Sequence, residues 1–225
     1  MKKFAVIVAG GSGQRMNSAL PKQFLLLKEK PLLWYSINAF LRTFDDLQII
    51  LVLPTDHFLK GEKLKDLFTE KHRIQIIGGG NTRFHSVQNG LRLVPDDSVV
   101  FVHDGVRCLV SENLIHRCYI QANEKGSAIP AVAATDSVRI TDGEKSLVAD
   151  RTQIRIIQTP QTFRSELILP AFKQKYSEKF TDEATVVESF GKEIFLIDGE
   201  YTNIKITRSI DLLVAEKILQ EREGA

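Results

Sequence analysis

The feature that most constrains this chain is a recurring set of short, continuous apolar runs rich in β-branched residues, each followed by a segment whose apolar residues repeat at helical spacing. The runs are Phe4 to Val8, Gln48 to Leu53, Ile74 to Ile77, Val99 to Val102, Ser127 to Val132 and Ile194 to Ile197. Hydrophobicity that does not alternate requires cover on both faces of a strand, which is the condition of a parallel sheet between helices. The intervening segments supply that cover. Leu33, Ile37, Phe40 and Leu41 form one helical stripe, Phe84, Val87, Leu91 and Val94 a second, and Ile210, Leu213, Val214 and Ile218 a third. Thr181-Asp182-Glu183 and Gly191 bracket a short helix over 184–190 with an N-cap and a glycine stop. The alternation predicts an α/β fold: a doubly wound, mostly parallel, Rossmann-like sheet, with residues 1–225 as one domain.

One stretch interrupts the pattern. Residues 136–157 read as a polar strand, turn and strand, with Ser137 to Ile140 and Arg155 to Ile157 flanking Thr141-Asp142-Gly143-Glu144. Asp-Gly favours a hairpin because glycine accepts the positive φ of such turns. With no helix of its own to cover it, the hairpin reads as a projecting arm that pairs with a second copy of the chain. A surface hairpin without a partner is the other reading. The N-terminus imitates a secretory signal, but its apolar run breaks after six residues into Gly10-Gly11-Ser12-Gly13, so it is read as a buried first strand. No run approaches the roughly 18 apolar residues of a membrane span. Thirty Lys+Arg against 28 Asp+Glu leave a formal charge of +2, which argues against a nucleic-acid partner. Two cysteines are too few for a disulfide framework, and a reducing cytoplasm is expected.

The first run empties into Ala9-Gly10-Gly11-Ser12-Gly13-Gln14-Arg15-Met16. In open α/β sheets ligands bind at that carboxyl edge, and closely spaced glycines let backbone N–H groups approach an anion. A dinucleotide fingerprint fails because Met16 stands where its third glycine belongs, and the Gly-Lys-Ser/Thr ending of a P-loop is absent. Arg15 closes the loop and Lys22 follows in Pro21-Lys22-Gln23-Phe24. Two cations beside a phosphate cradle can oppose the charge that builds on a triphosphate under attack, Arg as a planar fork and Lys as a point charge.

Three other strand ends are polar in the same way. Ile74 to Ile77 runs into Gly78-Gly79-Gly80-Asn81-Thr82-Arg83, where Asn81 and then Ser86 are placed to read a nucleobase edge. Val99 to Val102 ends at His103-Asp104, with Asp104 suited to a ribose hydroxyl or a magnesium ion and His103 read as a hydrogen-bonded structural residue. In Asn203-Ile204-Lys205-Ile206-Thr207, alternation turns Lys205 away from its apolar neighbours, toward a cleft or toward water.

Taken in order, AGGSGQRM, PKQF, GGGNTRFHSV, VHDGVR, DR, QTPQTF, TDEA and NIKIT resemble the 2-C-methyl-D-erythritol 4-phosphate cytidylyltransferases of the non-mevalonate isoprenoid pathway, over nearly the whole chain. The resemblance implies a nucleotidyltransferase-type fold and a CTP-dependent enzyme that makes 4-diphosphocytidyl-2-C-methyl-D-erythritol and releases pyrophosphate. It further implies Mg2+ and a homodimer joined by the β-arm. It would place the triphosphate on Ala9, Gly10, Gly11, Ser12 and Gly13, with Arg15, Lys22 and Lys205 as the catalytic cations. Gly80, Asn81 and Ser86 would read cytosine, and Asp104 would lie by the ribose and the metal. Arg107, Arg151, Thr159 and Ser137, where the family often has Thr, would hold the methylerythritol phosphate, with Ser137 and Arg151 reaching in from the partner's arm.

Two positions depart from the family pattern. Gly105-Val106-Arg107-Cys108 replaces the usual Ala-Ala-Arg-Pro, which removes a proline's constraint on the loop, and Thr202 stands where many members carry an acidic residue. No metal ligand is therefore assigned at Thr202. The rival readings are a ribitol 5-phosphate cytidylyltransferase, a nicotinamide oxidoreductase on the same sheet, and a domain that binds CTP without turnover.

Overall fold

The computed structural model describes residues 1–11 and 20–223. Ser12, Gly13 and Arg15, three of the expected phosphate-binding residues, lie outside that set.

Four strands make the parallel centre of the sheet: β1 (Lys2–Val8), β4 (Gln48–Leu53), β5 (Ile74–Gly78) and β6 (Ser98–Asp104). β1 is hydrogen-bonded to β6 on one side and to β4 on the other, and β4 to β5. Beyond β6 the order continues through β11 (Gln161–Arg164), antiparallel to both neighbours, to β7 (Ser127–Ala133). β10 (Arg155–Ile157) continues the antiparallel pairing along β7, and β12 (Leu196–Asp198) pairs with β7 in parallel. Among the described residues the sheet has eight strands. A two-stranded piece, β2 (Leu26–Leu27) with β3 (Lys30–Pro31), stands apart and leads into the first helix.

Strand side chains alternate by two, so the continuous apolar runs divide between two cores. Ala5, Ile7, Ile49, Leu51, Leu53, Val99 and Phe101 face α1 (Leu32–Thr43), α2 (Phe58–Lys65) and α4 (Glu112–Lys125), meeting Leu33, Ile37, Phe40, Leu64, Leu114 and Ile115. Val6, Val8, Ile50, Val52, Val100 and Val102 face α3 (Arg83–Leu91), α5 (Ser165–Ala171) and α6 (Glu183–Ser189), through Phe84, Val87, Leu91, Ile168 and Val187. This is the doubly wound arrangement that the runs predict. α3 sits so close to β1 that a Cβ on Gly90 would stand 2.5 Å from Val6 Cγ1, so only glycine fits there. α6 begins at Asp182, whose side chain accepts from Thr185 N in a capping box, and Gly191 follows at φ +77°.

A third apolar group joins Leu27, Leu32, Val106, Cys108, Leu109, Ile206 and Ala215, and so docks α7 (Ser209–Glu223). Here the expected helix stripe is corrected. Ile210, Leu213 and Val214 are exposed, while Ala215, Leu212, Ile218 and Leu219 pack inward. The arm is corrected as well: β8 (Val138–Thr141) pairs with β9 (Ser146–Ala149), not with Arg155 to Ile157, which belongs to β10 in the main sheet. The Asp-Gly turn is as expected, with Gly143 at φ +103° and Lys145 N donating to Asp142 Oδ1 over 2.8 Å. No helix among the described residues is long and apolar enough to cross a membrane.

Candidate active site

The carboxyl ends of β1, β4, β5 and β6 open on one cavity of about 470 Å3, a size suited to a small ligand. Ala9, Gly10, Gly11, Lys22, Gly80, Asn81, Ser86, Asp104 and Lys205 line it, so the expected residues within the described chain that belong to the nucleotide and catalytic sets are gathered there. The backbone after β1 is held from two sides. Ala9 N donates to Val52 O over 3.0 Å, and the buried Gln23 amide donates to Ala9 O over 2.7 Å. The lysine of the same Pro-Lys-Gln-Phe segment lies alongside: a Cβ on Gly11 would stand 3.5 Å from Lys22 Cε.

At the end of β5 the backbone folds back onto α3. Gly80 N donates to Ser86 Oγ over 3.1 Å, and Ser86 Oγ donates to Thr82 O over 3.0 Å. Thr82 caps α3 by accepting from His85 N. A Cβ on Gly80 would lie 2.5 Å from His85 Cβ, so the close return requires glycine.

Asp104, at the end of β6, is the electrostatic centre. Lys205 Nζ approaches its Oδ2 at 2.8 Å, Arg107 Nε the same oxygen at 3.7 Å, and Arg83 Nη2 its Oδ1 at 3.2 Å. Burial would raise the pKa of this carboxyl. The opposing charges of Arg83 and Lys205, the Lys205 hydrogen bond and Arg107 outweigh burial and hold it well below the usual carboxylate range. Arg83 also donates Nη1 and Nη2 to the fully buried Glu183, the second at 3.0 Å. Burial pushes the Glu183 carboxyl upward against the pull of Arg83. Neither Arg83 nor Glu183 is singled out by sequence reasoning, nor are Thr55 and Asp56, which line the cavity after β4. Arg83 and Glu183 stand within the GGGNTRFHSV and TDEA segments, but 100 positions apart, and only their pairing identifies them.

The residues expected to hold the second substrate do not line this cavity. Arg107 is turned to backbone carbonyls, donating to Asn203 O over 2.8 Å and to Ile157 O over 3.3 Å. Thr159 is buried, and its hydroxyl oxygen accepts from Asp104 N over 3.1 Å. Ser137 and Arg151 are exposed on and beside the arm, Arg151 donating to Thr135 O over 2.9 Å. His103 is wholly buried against the ring of Phe40, and burial pushes its pKa down to about 4.

The family model for 2-C-methyl-D-erythritol 4-phosphate cytidylyltransferase matches residues 4–221. The chain belongs to that family. Relatives so named are 46% identical in Porphyromonas gingivalis, over 97% of this chain and 98% of theirs, and 43% identical in Bacteroides fragilis, over 97% and 100%. Among solved structures, a 4-diphosphocytidyl-2C-methyl-D-erythritol synthase from Anaerococcus prevotii superposes with a TM-score of 0.82 at 27% identity, covering 97% of this chain and 99% of that one. The bifunctional IspDF of Campylobacter jejuni gives 0.80 at 29%, covering 95% of this chain and 54% of that one. Against the cytidylyltransferase pattern, Cys108 in place of proline is buried at 3% exposure in the third apolar group, and the loop is held by Arg107 N donating to Asp104 O over 2.9 Å. Packing and a tight turn supply the constraint that proline would have given.

Proposed function

We infer that this chain transfers a cytidylyl group from CTP to 2-C-methyl-D-erythritol 4-phosphate, giving 4-diphosphocytidyl-2-C-methyl-D-erythritol and pyrophosphate. The observation that carries the reading is the convergence of Ala9, Lys22, Gly80, Asp104 and Lys205 on one cavity, in a chain matched to the family over residues 4–221. A phosphate oxygen of the sugar phosphate attacks the α-phosphorus in line. It is already an anion near neutral pH, so no general base is needed, and catalysis rests on positioning and charge stabilisation. Arg15, Lys22 and Lys205 oppose the charge of the reacting phosphates, Ala9 to Gly13 cradle the triphosphate, and Gly80, Asn81 and Ser86 read the cytosine edge.

Magnesium takes oxygen ligands and is commonly bound through one or two carboxylates plus substrate phosphates. The ionised Asp104 on the cavity wall fits that pattern, whereas a cluster of three or more His, Cys, Asp or Glu able to hold a metal alone is absent among the described residues. Asp104 would hold the ion, which supplies charge neutralisation of the triphosphate when bound.

The sugar phosphate is taken by Arg107 and Thr159 of one protomer with Ser137 and Arg151 of its partner's arm, in a homodimer. The arm's exposed apolar residues, Ile140, Leu147 and Val148, support a partner surface. The free cysteines suit a reducing cytoplasm. Pyrophosphate release tests the reading: it requires CTP, is lost with ATP, GTP or UTP, and proceeds with methylerythritol phosphate in preference to ribitol 5-phosphate. Preference for ribitol 5-phosphate, or CTP binding with no pyrophosphate from either acceptor, refutes it.

A further inference from the structure

The expected substrate residues Arg107 and Thr159 belong to a closed hydrogen-bonded circuit that passes through one imidazole. His103 Nε2 lies 3.2 Å from Arg107 O, Arg107 Nη1 donates to Asn203 O over 2.8 Å, Asn203 Nδ2 donates to Thr159 O over 2.9 Å, and Thr159 Oγ1 lies 3.1 Å from His103 Nδ1. These four residues come from the end of β6, the loop after it, the turn between β10 and β11, and the segment before α7. His103 and Asn203 are fully buried and Thr159 is 4% exposed, so the two bonds of Thr159 in the circuit are closed to water, while the two that involve Arg107 are partly buried.

The chemistry of the partners fixes the proton positions. A carbonyl oxygen only accepts, so the nitrogen facing Arg107 O must carry the hydrogen. In a neutral ring Nδ1 is then a bare acceptor, and the Thr159 hydroxyl donates to it while its oxygen accepts from Asp104 N. The ring is wholly buried, and Phe40 from α1 offers it an apolar ring edge.

We propose that His103 is a positioning residue: as the Nε2–H tautomer it ties the backbone of Arg107 to the hydroxyl of Thr159 and so sets the sugar-phosphate side of the site against the nucleotide side at Asp104. The inference rests on the functional reading above, which assigns Arg107 and Thr159 to the acceptor. The carboxylate of Asp104 has its own three cations, so loss of the imidazole acts mainly on the acceptor side.

The test is steady-state kinetics of His103→Phe, which keeps a ring against Phe40 but neither hydrogen bond, and of His103→Asn, which is too short to span both partners. Leaving buried polar groups unpaired predicts a rise of about tenfold or more in KM for methylerythritol phosphate, with KM for CTP within about threefold. Equal rises in the two KM values, or unchanged KM values with only a lower Tm, overturn the proposal. A second measurement needs no variant: the imidazole 15N spectrum of the intact protein should contain one ring protonated at Nε2 and bare at Nδ1. Absence of such a ring overturns the proposal even if both variants fail to fold. Absence of turnover in the parent protein refutes the functional reading, whereas turnover accompanied by equal KM rises or by a different tautomer refutes this proposal alone.

Discussion

Replacing Arg83 with methionine removes the one cation that hydrogen-bonds Glu183 among the described residues, and leaves that carboxyl 1% exposed. Breaking a buried ion pair from one side costs about 3 to 5 kcal/mol. Arg83 keeps 32% of its side chain exposed, which places the expected loss at the lower end of that range. Protonation sets an independent ceiling. A carboxyl with an unfolded pKa of about 4.3 costs about 3.7 kcal/mol to neutralise at pH 7, at 1.36 kcal/mol per unit, and about 1.6 kcal/mol at pH 5.5. Both routes give a destabilisation of about 3 to 4 kcal/mol at neutral pH. The sign follows from proton counting. In the variant the folded state holds the Glu183 proton and the unfolded state releases it, so stability falls as pH rises through this interval. The penalty should therefore shrink by about 2 kcal/mol between pH 7 and pH 5.5. Urea titrations read by fluorescence of the single tryptophan, Trp34, and by far-ultraviolet circular dichroism measure it, as a midpoint shift of roughly 1 to 2 M at pH 7. A loss under about 1 kcal/mol, or one that is the same at both pH values, refutes the reasoning that Arg83, by donating to both Glu183 oxygens, holds a carboxylate there.

Other expectations follow from the same geometry. Lys22→Ala or Arg15→Ala should lower kcat by roughly 10² to 10³, the usual cost of one preorganised donor, and near-normal turnover in both contradicts their placement at the phosphates. Arg151→Ala should chiefly raise KM for methylerythritol phosphate. Leu147→Glu with Val148→Glu should turn the species seen by analytical ultracentrifugation from dimer to monomer and weaken the same KM; an effect on CTP alone reverses the two subsites. Cys108 and Cys118 are buried, and burial pushes each thiol up to about 12, so neither should react with a maleimide at pH 7 until urea unfolds the chain.

The sheet is legible from the sequence because continuous apolar runs leave a strand no solvent face, and the odd and even residues of β1, β4 and β6 divide between two cores. The last helix is less legible for the same kind of reason. Leu212 and Leu213, and Val214 and Ala215, are apolar neighbours in sequence, so periodicity alone admits more than one inward face. Val106, Ile206 and Leu27 decide which one docks, and they come from distant parts of the chain. The arm shows a related limit. Asp142-Gly143 specifies a turn, but the choice between Ser146–Ala149 and Arg155–Ile157 as its second strand depends on β7, which takes the latter. Arg83 and Glu183 could be named only as parts of motifs, since a charge pair 100 positions apart has no local period.

The same pairings explain how a chain with a formal charge of only +2 can present cations to a triphosphate. Arg83, Arg107 and Lys205 surround the single carboxylate of Asp104, and Glu183 balances a second of these charges, so the cluster keeps a positive surplus. The three cations are not equivalent. Arg83 is held by Glu183 and Arg107 by two backbone carbonyls, whereas Lys205 has 41% of its side chain exposed and Asp104 as its partner. A lysine is a flexible point charge, and turning from Asp104 toward a substrate phosphate costs it less ordered structure than either arginine would lose. The two arginines keep Asp104 ionised, and of the three cations Lys205 is the one that changes partners at least cost.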